Sequence, residues 1–333
     1  MEYIQLIAGL LLLLFSADYL VKGGVGLASK LNISPLVIGM TVIAFGTSAP
    51  ELIVSTNAAI SGHPEIALGN VIGSNIANIG LILGITALIL PIPVSKASIK
   101  NDGPVMVLAS ILFILAAYDG IITRWEGLFG FALLVGYTIY MIHKSRKENN
   151  ANGGDDIDED AAHLPVWKAF VFIIGACVGL AFGADLLVKG ATTVATSFGV
   201  SQKVIGVTVV AFGTSLPELA ASVVAALKKQ TDISIGNIIG SNLFNILSVI
   251  GLSSAIHPIG LNFAEFKPDF IWMLMFSILI LVLIYPINKN ISIFKSSNQN
   301  KLKALTNFDG GILGRISGLI LIGLYIFYIY RLF

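Results

Sequence analysis

The chain has 333 residues, of which 56% are hydrophobic and 12% are charged. Soluble domains usually carry about 25% charged residues, so this composition excludes an ordinary soluble protein and indicates one that lies in a membrane. The formal net charge of +1 gives no basis for a nucleic-acid partner, and the single cysteine, Cys177, excludes an intramolecular disulfide.

Ten apolar segments are long enough to cross a bilayer, since a membrane helix needs about 20 mostly apolar residues. The first segment lacks a basic start and exceeds the about 7–15 residues of a signal-peptide core, so we expect a retained helix. Apolar runs of this length that do not alternate also argue against a β-barrel. The predicted spans are 3–29, 35–60, 65–90, 103–119, 124–143, 164–196, 202–227, 232–257, 268–287 and 310–331.

Lysine and arginine are distributed unevenly among the loops that join these spans. With the N-terminus outside, twelve of these residues fall in cytoplasmic loops, and four fall in exterior loops or at the C-terminus. Cytoplasmic loops of membrane proteins carry the excess of Lys and Arg. The sequence therefore predicts that both termini face outside and that the polar linker 144–163 faces the cytoplasm.

Three motifs occur twice in the chain, each time 167 residues apart. Between 37–52 and 204–219, 13 of 16 positions are identical. Five spans in each half is an odd number, so the second half enters the membrane in the opposite direction, as in many secondary transporters. The pairs are ADYLVKGG and ADLLVKGA, starting at Ala17 and Ala184; GTSAPEL and GTSLPEL, starting at Gly46 and Gly213; and GNVIGSNIANI and GNIIGSNLFNI, starting at Gly69 and Gly236.

The predicted fold is therefore an all-α membrane protein with ten transmembrane helices in two inverted five-helix repeats. Binding sites in such folds lie near the bilayer midplane, where the broken helices of both halves meet, so the duplicated motifs should face each other. The predicted division is a first repeat at 1–143 with its motifs at 37–79, the linker 144–163, and a second repeat at 164–333 with its motifs at 204–246.

Each Gly-Thr-Ser-x-Pro-Glu motif interrupts an otherwise apolar span. Pro50 has no N–H, so the carbonyl of Gly46 loses its helical partner, and Pro217 has the same effect on Gly213. Irregular backbone at membrane depth is tolerated only where protein or a water-filled cavity satisfies it. We therefore expect these four residues to open the two helices at a binding site.

Residues that offer oxygen atoms recur at helical spacing around each break, so they share one helix face. The following span adds a serine and an asparagine four residues apart. Hydroxyl, amide, carbonyl and carboxylate oxygens suit hard cations such as Ca²⁺, and none of the four histidines joins them. The predicted cation site consists of Ala44, Thr47, Ser48, Glu51, Ser74 and Asn78, and of their counterparts Ala211, Thr214, Ser215, Glu218, Ser241 and Asn245.

Charged residues outside these motifs are expected to form local ion pairs or to lie in a solvated loop. Asp18 precedes Lys22 by four residues and Asp185 precedes Lys189 by four, a spacing that favours a local ion pair. The acidic run 155–160 is interpreted as a solvated loop, with regulatory calcium binding as the alternative.

At these motifs the sequence resembles the cation/calcium exchanger superfamily, specifically the prokaryotic type of its sodium/calcium exchanger branch. The likeness covers essentially the whole chain. It implies a core of the second, third, seventh and eighth helices, across which the first and sixth helices slide during alternating access. It also implies a central Ca²⁺ site flanked by Na⁺ sites, in which Glu51 and Glu218 bind Ca²⁺ directly and the carbonyls of Thr47 and Thr214 complete its shell.

The function implied by the resemblance is secondary antiport of Na⁺ against Ca²⁺ across the cell membrane, by a multi-pass protein that is not an enzyme. No cofactor is expected, because the transported Ca²⁺ and Na⁺ bind as substrates. These ions and membrane lipid are the expected partners, nucleic acid is not, and a monomer is the working expectation.

Three alternatives stay open at this point. Several sodium/calcium exchangers have an aspartate where this chain has Asn245, and two glutamates without a third carboxylate leave room for an H⁺/Ca²⁺ antiporter. An intramembrane hydrolase would use Ser48 or Ser215 as nucleophile, but no histidine or lysine base lies at helical spacing from either. A channel would conduct the ion without coupling it to a counter-ion.

Overall fold

A computed structural model of the protein describes residues 2–152, 164–199, 211–286 and 310–332. Apolar segments form long helices, and the two Gly-Thr-Ser-x-Pro-Glu motifs interrupt two of them. The helices are α1 Glu2–Leu31, α2 Pro35–Thr47, α3 Ala49–Ile60, α4 Pro64–Ile89, α5 Ser98–Ala117, α6 Arg124–Asn152, α7 Val166–Ser197, α8 Ala211–Gly213, α9 Leu216–Leu227, α10 Thr231–Ile256, α11 Phe263–Leu283 and α12 Arg315–Arg331.

Seven helices among the described residues are long and apolar enough to cross a membrane, and the bent pair α2–α3 makes an eighth if it is counted as one span. Two of the ten predicted spans are not among them. The predicted span 202–227 is described only from Ala211 onward and ends in the 12-residue α9. The predicted span 310–331 begins with a short strand, which leaves 17 residues for α12.

Among the described residues five short strands qualify the all-α prediction, although all the long elements are helices. Each strand has only two to four residues and lies between two helices, so no alternating pattern in the sequence is long enough to reveal it. Antiparallel pairs join β1 to β5, β4 to β5, and β2 to β3. The strands are β1 Ile92–Ser95, β2 Ile121–Ile122, β3 Ile259–Gly260, β4 Tyr285–Pro286 and β5 Gly310–Leu313.

Helix α6 continues beyond the predicted end of its span at residue 143. It ends at Asn152, so the first part of the predicted linker 144–163 is helical. Polar residues between 144 and 152 can extend a helix because Lys, Arg and Glu are good helix formers. The rest of the linker, including the acidic run 155–160, lies outside the described residues.

Helices α1 and α7, one from each half, pack closely through glycines. A Cβ atom on Gly9 would lie 2.7 Å from the backbone nitrogen of Leu187, so no larger residue fits there without movement. The two predicted local ion pairs are present on these helices, with N–O distances of 2.8 Å for Lys22 and Asp18 and of 2.7 Å for the counterpart pair in α7. Asp18 also pairs with Lys228, which follows α9.

Helix α10 is the most enclosed of the described spans, with 94% of its most apolar window buried. Its contact with α2 is made backbone to backbone. A Cβ atom on Gly236 would lie 2.6 Å from the carbonyl oxygen of Leu36, and one on Gly240 would lie 2.6 Å from the Cα and the carbonyl oxygen of Met40. These glycines allow the second motif of the second half to reach the broken helix of the first.

Candidate functional site

The two helix breaks have nearly identical geometry. Ser48 interrupts the first helix with φ −88° and ψ 6°, and Ser215 interrupts the second with φ −89° and ψ 2°. In the first half the helix axis turns by 47° at this point. Pro50 and Pro217 each occupy the second position of the helix that follows, where a missing N–H removes no hydrogen bond from the new helix.

Both breaks place a glutamate in the first turn of the new helix and bury it completely. Glu51 and Glu218 are each 0% exposed. The hydroxyl of Ser48 donates to Oε1 of Glu218 at 2.9 Å, a contact between the two halves of the chain. In the part of the chain that the structure describes, Oε2 of Glu218 and both carboxylate oxygens of Glu51 have no hydrogen-bond partner.

The second motifs bring a serine and two asparagines to the same region. Nδ2 of Asn245 donates to the Ser74 hydroxyl at 2.9 Å, which is a second contact between the halves. Neither polar atom of Asn78 has a partner among the described residues, and neither does Oδ1 of Asn245. Both asparagines begin a π-helical segment, at 78–83 and 245–250. Such wide turns are often found at functional sites.

Thr47 and Thr214 have different surroundings although they are counterparts. The Thr47 hydroxyl lies 3.1 Å from Oδ1 of Asn237 and 3.3 Å from the carbonyl of Ala44, both acceptors, and 3.4 Å from the hydroxyl of Ser241. The Thr214 hydroxyl lies near the Glu51 carboxylate, as the Thr47 hydroxyl lies near that of Glu218, but it has no close hydrogen-bond partner among the described residues. The two halves of the cluster are therefore not equivalent.

The remaining predicted residues follow these in the same two pairs of motifs. The Ala44 carbonyl accepts from the Ser48 backbone N–H at 2.9 Å as well as from Thr47, so it is already hydrogen-bonded. Ser215 is buried, and its hydroxyl has no partner within the described ranges. Ser241 is 0% exposed in α10. Ala211 begins α8, and the part of the second motif before it, 204–210, lies outside the described residues.

Asn70 and Asn237, which the sequence places one turn before the predicted ligands Ser74 and Ser241 on the same helix face, stabilise the broken helices. Nδ2 of Asn70 donates to the backbone carbonyl of Glu51 at 3.4 Å and to the Ser55 hydroxyl at 2.9 Å. Asn237 makes the same pair of contacts in the second half, at 3.4 Å and 3.0 Å. A serine four residues after each glutamate was the available signal, because positions i and i+4 share a helix face.

This cluster offers a hard cation a set of oxygen donors with two negative charges. Each carboxylate lies within range of the other's charge, and unpaired buried oxygens are rare in folded proteins unless a ligand, ion or water completes them. Among the described residues no group of three or more His, Cys, Asp or Glu side chains occurs. Softer metals that prefer thiolate or imidazole would lack ligands here.

Comparison with known proteins places the chain among membrane exchangers. The model of a family described as sodium/calcium exchanger protein matches residues 1–143 and 168–333. CaxA of Alkalimonas amylolytica is 43% identical over 260 residues, which are 77% of this chain and 81% of that protein. The sodium/calcium exchanger MaX1 of Methanosarcina acetivorans is 32% identical over 319 residues, 85% of this chain and 91% of that protein.

A solved structure gives the same result for the fold. The sodium–calcium exchanger NCX_Mj, soaked with Na⁺ and Ca²⁺, superposes with a TM-score of 0.78 at 30% sequence identity, covering 100% of this chain and 98% of that one. This match extends over both halves of the chain and over the broken helices that hold the two buried glutamates.

Proposed function

The chain belongs to the sodium/calcium exchanger protein family, and from this premise we propose that it is a secondary antiporter that exchanges Na⁺ for Ca²⁺ by alternating access. It is a multi-pass membrane protein of a family of cation exchangers. The observation that carries the proposal is the meeting of two fully buried glutamates, one from each duplicated motif, in a cluster of oxygen atoms.

The chemistry of the cluster explains why transport would be coupled exchange. Glu51 and Glu218 together neutralise one Ca²⁺. Once Ca²⁺ leaves, a charged carboxylate in the membrane costs at least about 2.5–3.5 kcal/mol on insertion scales, so the bare site moves across the membrane rarely. Counter-ions that bind the same oxygens remove this cost. The site then moves across the membrane only when an ion is bound. Transport of Ca²⁺ in one direction therefore requires transport of the counter-ion in the other.

We assign the ion ligands to the residues of the four motifs. The carboxylates of Glu51 and Glu218 would bind Ca²⁺ directly, with the carbonyls of Thr47 and Thr214 completing its shell. The unpaired oxygens of both carboxylates support this part of the assignment. The remaining ligands would serve Na⁺ and the outer part of the site: Ala44, Ser48, Ser74 and Asn78, with Ala211, Ser215, Ser241 and Asn245.

We further propose that the chain crosses the membrane ten times, as two inverted repeats with both termini outside. Elements that recur 167 residues apart support the repeat, since α3 and α9 each have 12 residues and the π-helical segments at 78–83 and 245–250 each have six. The lysine and arginine distribution supports the orientation. Residues 1–143 and 164–333 would be the two repeats.

Protons are the second candidate counter-ion, and one observation favours them. Asn245 contributes an amide that donates to Ser74, so the described site holds two carboxylates and no third. Two glutamates can take one proton each, which would balance the charge of one Ca²⁺. The competing proposal is therefore an H⁺/Ca²⁺ antiporter on the same fold.

The experiment that tests the proposal is uptake of ⁴⁵Ca²⁺ into proteoliposomes loaded with Na⁺, with and without an outward Na⁺ gradient. We expect uptake to require the gradient. An outward H⁺ gradient that drives equal uptake in Na⁺-free buffer would replace Na⁺ by H⁺ as the counter-ion. Uptake that needs no counter-ion would indicate a channel and contradict both forms of exchange.

The two motif serines are expected to differ in their effect on Ca²⁺ transport. Ser48→Ala leaves Oε1 of Glu218 without its hydrogen-bond donor, whereas the Ser215 hydroxyl has no hydrogen bond to any described residue. A hydrogen bond to a charged group contributes about 1.5–3 kcal/mol. Ser48→Ala should therefore raise the KM for Ca²⁺ about tenfold or more. Ser215→Ala should raise it less. Equal effects would show that the two halves are equivalent during transport.

A further inference from the structure

Asn237 has hydrogen bonds at both ends of its side-chain amide, and they reach both halves of the site. It is 0% exposed and lies in α10. Its Nδ2 donates to the Glu218 carbonyl at 3.4 Å and to the Ser222 hydroxyl at 3.0 Å. Its Oδ1 accepts from the hydroxyl of Thr47, in the other half of the chain, at 3.1 Å. With these bonds made, Asn237 is bound to protein rather than available to an ion.

Packing of the backbone holds Asn237 in this position. The residue before it, Gly236, lies so close to α2 that a Cβ atom would come within 2.6 Å of the Leu36 carbonyl oxygen. Gly240, one turn later, makes an equally close contact with Met40. Because backbone meets backbone on both sides of Asn237, the backbone of this residue cannot move away from α2 without separating the two helices.

The counterpart of Asn237 makes only half of these contacts. Asn70 donates to the Glu51 carbonyl and to Ser55 within its own half. The hydroxyl of Thr214, which would complete the pattern, has no partner in the described chain. The segment 203–207, which corresponds to the part of α2 that packs against Gly236 and Gly240, lies outside the described residues. The chain thus contains its own matched control.

We propose that Asn237 is a positioning residue that sets the Glu218 turn against Thr47 across the two halves and thereby sets the affinity for Ca²⁺. It acts through the protein and does not touch the ion. The proposal rests on the proposed function, because it takes the cluster of Glu51, Glu218 and their neighbours as the Ca²⁺ site. Both described hydrogen bonds of Asn70 lie within its own half.

A double-mutant cycle between Thr47 and Asn237 tests the proposal. The readouts are the Kd of ⁴⁵Ca²⁺ in purified protein and the KM of Na⁺-driven uptake. Thr47→Val should raise the Kd about fivefold, the effect of one hydrogen bond. The same change in an Asn237→Ala background should have a smaller effect, because the hydroxyl has already lost Asn237 and keeps only its contacts with Ala44 and Ser241. Thr47→Ser keeps the hydroxyl and should restore wild-type affinity.

The control cycle uses Thr214→Val with and without Asn70→Ala. We expect Thr214→Val to have the same effect on the Kd in both backgrounds, because no hydrogen bond joins these residues. Independent effects of Thr47→Val and Asn237→Ala would overturn the proposal, as would coupling of equal size in the control cycle. A general loss of fold would reduce binding in both cycles alike.

A second variant keeps the test valid if Asn237→Ala does not fold. Asn237→Asp has nearly the same shape and keeps an oxygen that accepts from Thr47. Thr47→Val should then still raise the Kd in the Asn237→Asp background, and the absence of any such effect would contradict the proposal. Because the Kd is measured without transport, failure of this coupling is distinguishable from failure of Na⁺-driven uptake in the wild type.

Discussion

Replacing either Glu51 or Glu218 by glutamine is expected to lower Na⁺-driven Ca²⁺ uptake at least about 100-fold. Two unit charges 4 Å apart interact by about 4 kcal/mol at an effective dielectric constant of 20, and each 1.4 kcal/mol is about tenfold in binding. The interaction of a carboxylate with a divalent ion is larger still. Glutamine has nearly the same shape, so the fold is expected to persist. The measurement is ⁴⁵Ca²⁺ uptake into Na⁺-loaded proteoliposomes.

Glu65→Gln is the matched control for this loss. Glu65 also lies in the first turn of a helix, α4, but 58% of its side chain is exposed. Its charge is screened by water and lies outside the cluster, so uptake should remain at the wild-type level. Uptake that survives both Glu51→Gln and Glu218→Gln would show that the Ca²⁺ site lies elsewhere.

Gly240→Ala is expected to destabilise the protein by forcing α10 away from α2. The new methyl group would lie 2.6 Å from the Cα and the carbonyl oxygen of Met40. Backbone atoms cannot rotate away as a side chain can, so α10 must move from α2. Overpacking of this kind typically costs about 1–3 kcal/mol. Thermal unfolding in detergent should show a lower Tm, and Ca²⁺ affinity should fall with it.

Gly136→Ala controls for the loss of glycine itself. Gly136 lies within α6, and no atom lies within 4 Å of its Cβ position in the described structure. Alanine favours helix more than glycine does, so the Tm should stay the same or rise. A similar fall in Tm for both variants would mean that the contact between α10 and α2 is not the cause.

The sequence predicts the interrupted helices well because their cause is local. Pro50 cannot donate to Gly46 wherever the helix lies, and the structure breaks the helix at Ser48, between these two residues. The ion pair of Asp18 and Lys22 follows from spacing in the same way, and the contact is confirmed. Features that depend on a few neighbouring residues can be predicted before the tertiary structure is known.

Contacts between the halves cannot be predicted in this way. The hydrogen bonds from Ser48 to Glu218 and from Thr47 to Asn237 depend on how α2 meets α9 and α10. Nearly identical motifs predict equivalent surroundings for Thr47 and Thr214, but the structure gives the Thr47 hydroxyl an acceptor in Asn237 and gives the Thr214 hydroxyl no partner among the described residues. Identity in sequence therefore sets which groups each half offers, and helix packing decides which of them meet.

Two of the strand pairs join the first half of the chain to the second. Residues 92–95 of the first half pair with 310–313 of the second, and Ile121 pairs with Gly260. Together with the glycine-lined contact of α1 and α7, they interlock the halves as the subunits of an obligate dimer are interlocked. These contacts, and not the linker alone, then hold the two halves together. The integrity of the ion pathway depends on an interface within a single polypeptide.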